Sequence, residues 1–169
     1  RHEPDFLQAN NPWFRGVQTI YGPDGDVYVS DWVDGWDGLG KGRIYRLTDE
    51  THADSPIVRE VQRLLEGDWQ QRAVPALRAG LSHEDRRIRL ESQWELARRG
   101  AVDTLLAVAG SPDADRLARL HGLWGADQIV RRDPSQSERV LESVRHWLAD
   151  EDAAMRAAAA KVVGERGDR

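Results

Sequence analysis

Apolar residues recur at two different spacings along this chain, and the change from one to the other falls near residue 50. Before that point, runs rich in β-branched and aromatic residues cover residues 17–21, 27–30 and 42–48, a composition typical of strands. Residues 23–25 read Pro-Asp-Gly, which is the chemistry of a tight turn between the first two runs. The front of the chain therefore predicts a small antiparallel sheet, and three short strands cannot bury two faces by themselves.

Beyond residue 50 the apolar residues follow helical spacing. Pro56 suits the first position of a helix that reaches Gly67. Further helical patterns cover residues 73–81, 102–109 and 140–148, and each of them precedes a second helix. We predict a β segment at 1–50, a linker helix at 51–69 and helical repeats at 70–169.

The second helices share one pattern, in which Asp is followed by two variable residues, an apolar residue and Arg. Asp at a helix start can accept backbone amides, and Arg four residues later can pair with it or with the Asp of the neighbouring repeat. The spacing of about 30 to 37 residues resembles HEAT repeats, which are stacked helical hairpins. The three copies begin and end at Asp85 and Arg89, Asp115 and Arg119, and Asp152 and Arg156, with Ile88, Ala118 and Met155 as the apolar residues.

Two tryptophans recur at one repeat position, Trp94 and Trp124. We expect them to fill the seam between helical layers. The predicted fold class is mainly α, a HEAT-like α-solenoid preceded by a short antiparallel β segment. An ordinary helical bundle is the alternative, although its helices would not be expected to carry one pattern three times.

Composition narrows the classes of function. The chain of 169 residues is 40% hydrophobic and 31% charged, and no run of 18 apolar residues or signal peptide is visible. A net charge of −5 argues against binding to a phosphate backbone as the main activity. The absence of cysteine excludes disulfides, thiol nucleophiles and cysteine-ligated metal centres within these residues.

Few residues indicate chemistry. Asp31, Asp34 and Asp37 lie in a glycine-rich stretch and are a candidate calcium site, although a plain loop is favoured because Asp and Gly are the usual residues of turns. His121 lies in a helical pattern, where packing or a hydrogen bond between helices is favoured over metal ligation. No catalytic residue is predicted. Basic pairs at 86–87, 98–99 and 131–132 lie beside acidic residues and indicate solvated helix ends or an anionic partner.

Several of these segments together resemble a known family, the planctomycete-type proteins described as membrane-bound dehydrogenase or haem-binding proteins. In that family a β-propeller similar to sugar (glucose/sorbosone) dehydrogenases precedes HEAT-like repeats and a cytochrome c-type domain. The matching segments are residues 11–17 (NPWFRGV), 21–25 (YGPDG), 27–32 (VYVSDW), 42–48 (GRIYRLT), 89–94 (RLESQW) and 117–125 (LARLHGLWG).

The resemblance implies that the β segment is the last blade of a propeller, and that the chain is a fragment spanning the propeller–repeat junction. It implies a periplasmic or extracytoplasmic location. A quinone cofactor, calcium and c-type haem would belong to the parent protein, and no cofactor is expected in this chain because the Cys-x-x-Cys-His motif is absent. We expect a non-catalytic interaction or spacer module that contacts a protein or neighbouring domains of the same polypeptide, without nucleic acid or a membrane span. The alternative is a part of a quinone-dependent oxidoreductase.

Overall fold

The computed structural model describes residues 14–32 and 41–166 of the chain. It divides into two compact units, Arg1–Leu65 and Glu66–Arg169. In the described ranges the chain forms three strands, followed by seven α-helices. The predicted class, mainly α with a short antiparallel β segment in front, is therefore confirmed.

The first unit contains a three-stranded antiparallel sheet. Its strands are β1 (Gly16–Tyr21), β2 (Val27–Asp31) and β3 (Arg43–Leu47), in the order β1-β2-β3. The helix α1 (Pro56–Glu66) follows and begins at the predicted proline. Val29 on the central strand is buried, whereas every residue of β1 is exposed. The sheet thus leaves apolar surface uncovered, as three short strands must.

The turn between β1 and β2 depends on Gly25. Its φ of +82° lies in the left-handed region, and its amide donates to the carbonyl of Gly22 at 3.2 Å. The hydroxyl of Tyr28 donates to the carboxylate of Asp24 at 2.7 Å, which closes the turn from the strand side. A Cβ on Gly25 would also lie 2.9 Å from the side chain of Val58 on α1. Glycine is therefore required here by both conformation and space.

The second unit consists of three helical hairpins. Within each hairpin two consecutive helices pack together, and the second helix of each also packs on the second helix of the next. A 3₁₀ turn, Trp69–Gln71, precedes them. The hairpins pair α2 (Val74–Gly80) with α3 (Arg86–Arg98), α4 (Val102–Ala109) with α5 (Arg116–Arg132), and α6 (Ser137–His146) with α7 (Ala153–Glu165).

The repeated aspartates begin the second helices. Each is the residue preceding its helix, and its carboxylate accepts one or two backbone amides of the first turn, which satisfies donors that the helix leaves free. The apolar residue of each pattern is the third residue of its helix and is at most 1% exposed. These equivalent positions are Asp85 and Ile88, Asp115 and Ala118, and Asp152 and Met155.

The repeated arginines do not use the capping carboxylate as predicted. Arg89 and Arg156 instead donate to the two backbone carbonyls just before the capping residue, at 2.6–2.9 Å. In the first hairpin the carboxylate of Asp85 is taken by Arg87, which donates to it at 2.7 Å, whereas the loop carbonyls lie within reach of Arg89. Arg119 is different, because it donates to the carbonyl of Ala109 and to the carboxylate of Asp150 in the next hairpin. Arg119 thus pairs with a carboxylate of the neighbouring repeat, but that carboxylate belongs to Asp150 rather than to the capping residue.

Two glycines let α5 approach its neighbours closely. A Cβ on Gly122 would lie 2.7 Å from the carbonyl oxygen of Leu105 and 2.9 Å from the amide of Ala109, both on α4. A Cβ on Gly125 would lie 3.1 Å from the Cγ of Gln93 on α3. The helix α5 is consequently the centre of the second unit, in contact with α3, α4, α6 and α7.

Candidate functional site: the face of the second helices

The two repeated tryptophans are exposed, so the prediction that they fill the seam between layers is wrong. Trp94 is 47% exposed and Trp124 is 41% exposed. The residues that lie between α3 and α5 are the sequence neighbours of the tryptophans. Gln93, which precedes Trp94, packs against Gly125, which follows Trp124. One residue along a helix corresponds to a rotation of 100°, which turns each indole away from the seam.

The two indoles lie on the same side of the α3–α5 pair. Arg89 contacts His121 and Gln93 contacts Gln128, so the two helices run in the same direction. Trp94 comes one residue after Gln93, the contact residue of α3, whereas Trp124 comes one residue before Gly125, the contact residue of α5. Because the two helices are parallel and face each other, a step forward on one and a step back on the other turn both side chains to the same side. The two indoles are therefore presented from adjacent helices on one side of the pair.

A buried polar layer joins α3 to α5 beneath this face. His121 is 3% exposed, its Nδ1 lies 2.7 Å from Oε1 of Gln93, and its Nε2 lies 3.4 Å from Nε of Arg89. Since the guanidinium can only donate, Nε2 is the acceptor and Nδ1 carries the proton that is donated to Gln93. The ring of His121 also meets the edge of Trp124, with ring centroids 5.3 Å apart. The predicted hydrogen bond between helices is confirmed.

The environment of His121 favours the neutral ring. Burial is the main cause and the positive charge of Arg89 is the second, and together they lower the pKa of His121 from 6.5 to about 4. At neutral pH the imidazole is thus a structural hydrogen-bonding group. Its position beneath Trp124 fixes the edge of the exposed indole.

A buried carboxylate follows each tryptophan and binds two arginines. Glu95, which is 6% exposed, accepts from both Arg98 and Arg99 at 2.6–2.7 Å. The hydrogen bonds of Arg98 are the main reason that the pKa of Glu95 is lowered to about 2. Arg98 lies one turn beyond Trp94, on the same face, and is 49% exposed. Two guanidinium groups against one carboxylate leave this first cluster with a net charge of +1.

The second cluster has the same sign. Asp127, which is 7% exposed, accepts from Arg131 at 2.9 Å and from Arg166 at 2.5 Å. Arg131 also donates to Glu165, whose carboxylate lies 3.7 Å from the ammonium of Lys161. Arg131 lies two turns beyond Trp124 and is 55% exposed. The three cations against two carboxylates again leave a charge of +1.

Charge is distributed unequally between the two sets of helices. The second helices, α3, α5 and α7, carry ten arginine and lysine residues against four aspartates and glutamates. The first helices, α2, α4 and α6, carry three against three. The whole chain has a net charge of −5. The helices that present the tryptophans therefore carry an excess of basic residues within an acidic protein, and their capping aspartates lie just outside these counts.

The sequence-predicted calcium residues are only partly described. Asp31 is 3% exposed, its Oδ1 accepts the amide of Arg15 at 2.7 Å, and its Oδ2 lies 3.4 Å from the hydroxyl of Tyr45. Asp34 and Asp37 lie outside the described residues. Within 14–32 and 41–166 no group of three or more histidine, aspartate or glutamate side chains could hold a metal ion. The calcium site stays a prediction.

A shallow recess of about 400 Å³ lies between α2 and the loop that joins α4 to α5. Its charged lining residues are Arg78 on the helix and Asp113 in the loop, with the hydroxyls of Ser82 and Ser111 beside them. Neither serine has a histidine beside it in this lining. The lining of the recess therefore contains hydroxyl groups but no histidine that could act as their base.

The two carboxylate clusters were not recognised from the sequence. A signal was present in the spacing, because Glu95 lies three and four residues before its arginines and Asp127 lies four before Arg131. The spacing does not show that Glu95 and Asp127 are buried or that Arg98 and Arg131 are exposed. In the described ranges none of the helices is both long and apolar enough to cross a bilayer. No protein-family model, curated protein or solved structure matches the chain.

Proposed function

We propose that the chain is a non-catalytic interaction and spacer module, whose three hairpins stack as a HEAT-like α-solenoid. Its partner is a protein or a neighbouring domain of the same polypeptide, and the contact is made by the face of the second helices. The observation that carries the proposal is the exposure of Trp94 and Trp124 at equivalent positions on one side of that face. Large aromatic residues placed so are enriched where proteins bind proteins.

The polar groups of the second unit support a structural assignment. Arg89, His121 and Gln93 bond one another between helices, and Glu95 and Asp127 are saturated by arginines. A general base or nucleophile needs a free reactive atom within reach of a substrate. These groups instead hold the helices in register and fix the side chains around the indoles.

The proposal about the parent protein rests on the resemblance alone. Membership of the planctomycete-type dehydrogenase family, a final propeller blade ahead of the repeats, and an extracytoplasmic location are parts of this proposal. A quinone, calcium and c-type haem elsewhere in the parent stay predictions. The exposed apolar residues of β1 fit a blade that packs against further sheet.

Site-specific photo-crosslinking tests the proposal. A photoreactive phenylalanine analogue replaces Trp94 or Trp124 in cells that make the protein, and a third variant carries it at Leu148 as the control. Leu148 is 41% exposed and lies outside the second helices. We expect positions 94 and 124 to capture the same polypeptide segment and position 148 to leave it uncaptured.

Equal capture at all three positions, or capture at none, would contradict an interaction face at the tryptophans. A separate assay addresses chemistry. The purified chain is incubated with sugars, a quinone cofactor and an artificial electron acceptor, and we expect no turnover. Turnover by these residues would contradict the non-catalytic assignment and favour the oxidoreductase alternative.

A further inference from the structure

The exposed face of α3 and α5 combines two features that recur in each layer. One is an indole, Trp94 or Trp124. The other is an arginine further along the same face, Arg98 or Arg131, which belongs to a cluster with a net charge of +1. An apolar anchor beside a positive group therefore recurs on two adjacent helices. We define the Trp–Arg face by these four residues.

We propose that the Trp–Arg face binds an acidic peptide segment that carries apolar or proline residues between its carboxylates. This inference rests on the proposed function and names the chemistry of the partner. The apolar residues of the segment would pack on the two indoles. Its carboxylates would accept hydrogen bonds from Nη1 of Arg98 and Arg131, since the bonds to Glu95, Asp127 and Glu165 use Nε and Nη2 and a guanidinium carries five N–H donors.

Charge complementarity is the reason to choose an acidic segment. Each exposed arginine shares its carboxylate with a second arginine, so neither cluster is neutralised from within. In the third hairpin the position equivalent to the tryptophans is occupied by Lys161, which is 72% exposed. Lys161 belongs to the second cluster, so a segment that continues across the layers would stay beside the net charge of +1 of that cluster. A basic or neutral segment would leave these charges uncompensated.

A single-stranded nucleic acid would also combine stacking with negative charge. The face is less suited to it, because a phosphate backbone carries a negative charge at every nucleotide and needs a continuous row of cations. Here the positive charge is confined to two clusters of +1, and the carboxylates of Glu95, Asp127 and Glu165 lie among the cations. A peptide that places a few carboxylates at the arginines matches the number of charges better.

Selection from a random peptide library provides the probe. Displayed peptides of about twelve residues are selected on the purified chain at about 50 mM salt, where electrostatic attraction is strong. A parallel selection uses the Trp94→Ala/Trp124→Ala double variant. We expect peptides enriched on the wild type alone, with net negative charge and with aromatic, aliphatic or proline residues.

Affinities of a selected, fluorescently labelled peptide then separate the two features. We expect Trp94→Ala/Trp124→Ala to weaken binding by about tenfold or more. Arg98→Gln/Arg131→Gln should weaken it by about three- to tenfold and flatten its salt dependence, while Glu95 and Asp127 keep their second arginines. Leu148→Ala, the control, should change the affinity by less than about twofold. Circular dichroism verifies that each variant is folded.

The outcomes are distinct. Tryptophan-dependent enrichment of neutral or basic peptides would overturn the acidic partner and leave the interaction module standing. The absence of any tryptophan-dependent enrichment would overturn the acidic partner, while photo-crosslinking judges the module separately. Tighter tryptophan-dependent binding of labelled oligodeoxythymidine than of every selected peptide would overturn the peptide in favour of nucleic acid.

Discussion

Acid should destabilise the second unit through the buried ring of His121. In the folded chain its pKa is lowered to about 4, chiefly by burial and then by Arg89, whereas in the unfolded chain it returns to its ordinary value of 6.5. Between these two values the unfolded chain holds one more proton on this ring than the folded chain does. The contribution of the neutral His121 ring to the free energy of unfolding is therefore complete above pH 6.5 and is lost as the pH falls toward 4.

The size of the effect follows from the width of this window. One pKa unit corresponds to about 1.4 kcal/mol of free energy of unfolding, so the complete contribution is about 3 kcal/mol. Between about pH 7 and about pH 4.5 the loss should be about 2.5 kcal/mol. That is a large fraction of the stability of an ordinary domain.

The measurement compares the wild type with His121→Gln, which has no titrating group at this position. Urea unfolding is followed by circular dichroism at several pH values, and the free energy of the variant is subtracted from that of the wild type. This difference should shrink by about 2.5 kcal/mol from about pH 7 to about pH 4.5, because every other ionisable group is common to both chains. Gly164→Ala serves as the control, and its difference from the wild type should stay constant.

Two results would refute this reasoning. One is a difference between wild type and His121→Gln that does not change with pH. The other is a nuclear magnetic resonance titration in which the His121 ring protonates near 6.5 in the folded chain. Either would mean that Arg89 and the surrounding helices do not exclude the charged ring.

Gly122→Ala should lower the free energy of unfolding by about 3 kcal/mol, because the added methyl would lie 2.7 Å from a backbone carbonyl oxygen. Gly164→Ala, whose methyl meets nothing within 4 Å, should raise it by up to about 1 kcal/mol; equal effects in urea unfolding would contradict the close approach of α5. Glu95→Ala should cost about 2–4 kcal/mol, since it leaves two arginines without their buried carboxylate. Asp103→Ala removes a carboxylate that is 82% exposed and should cost at most about 0.5 kcal/mol; a larger cost there than at position 95 would refute the ranking by burial. Gly25→Ala should destabilise the first unit by about 1–2 kcal/mol through its φ of +82°, and unaltered amide exchange in the sheet would contradict this.

Local chemistry made much of the fold predictable. Turn residues before Gly25, the apolar spacing of the helices and the aspartate caps each act within a few residues, so a single sequence contains the whole signal. The helix predicted at residues 102–109 matches α4 (Val102–Ala109), and Asp85 caps α3 as its pattern indicates. Interactions of this range need no knowledge of what packs from elsewhere.

The candidate site was harder, because it depends on which helix side faces a neighbour. Trp94 was expected in the seam because it recurs with Trp124 at one repeat position, yet Gln93 occupies that place and bonds His121. Gly125 lies opposite, and a Cβ there would come within 3.1 Å of Cγ of Gln93. A single sequence does not reveal which residues about thirty positions apart pack against each other.

The hydrogen bonds of the repeated arginines differ in whether they would survive the exchange of one hairpin for another. In the first and third hairpins the arginine ties carbonyls five and six residues earlier, so the tie would travel with the hairpin if it were moved. The middle hairpin borrows Asp150 from its successor. Ending the chain after the middle hairpin would leave Arg119, now 14% exposed, facing solvent without its counter-charge. The loop bonds of the two outer hairpins are thus self-contained, whereas the loop bond of the middle hairpin depends on the hairpin that follows it.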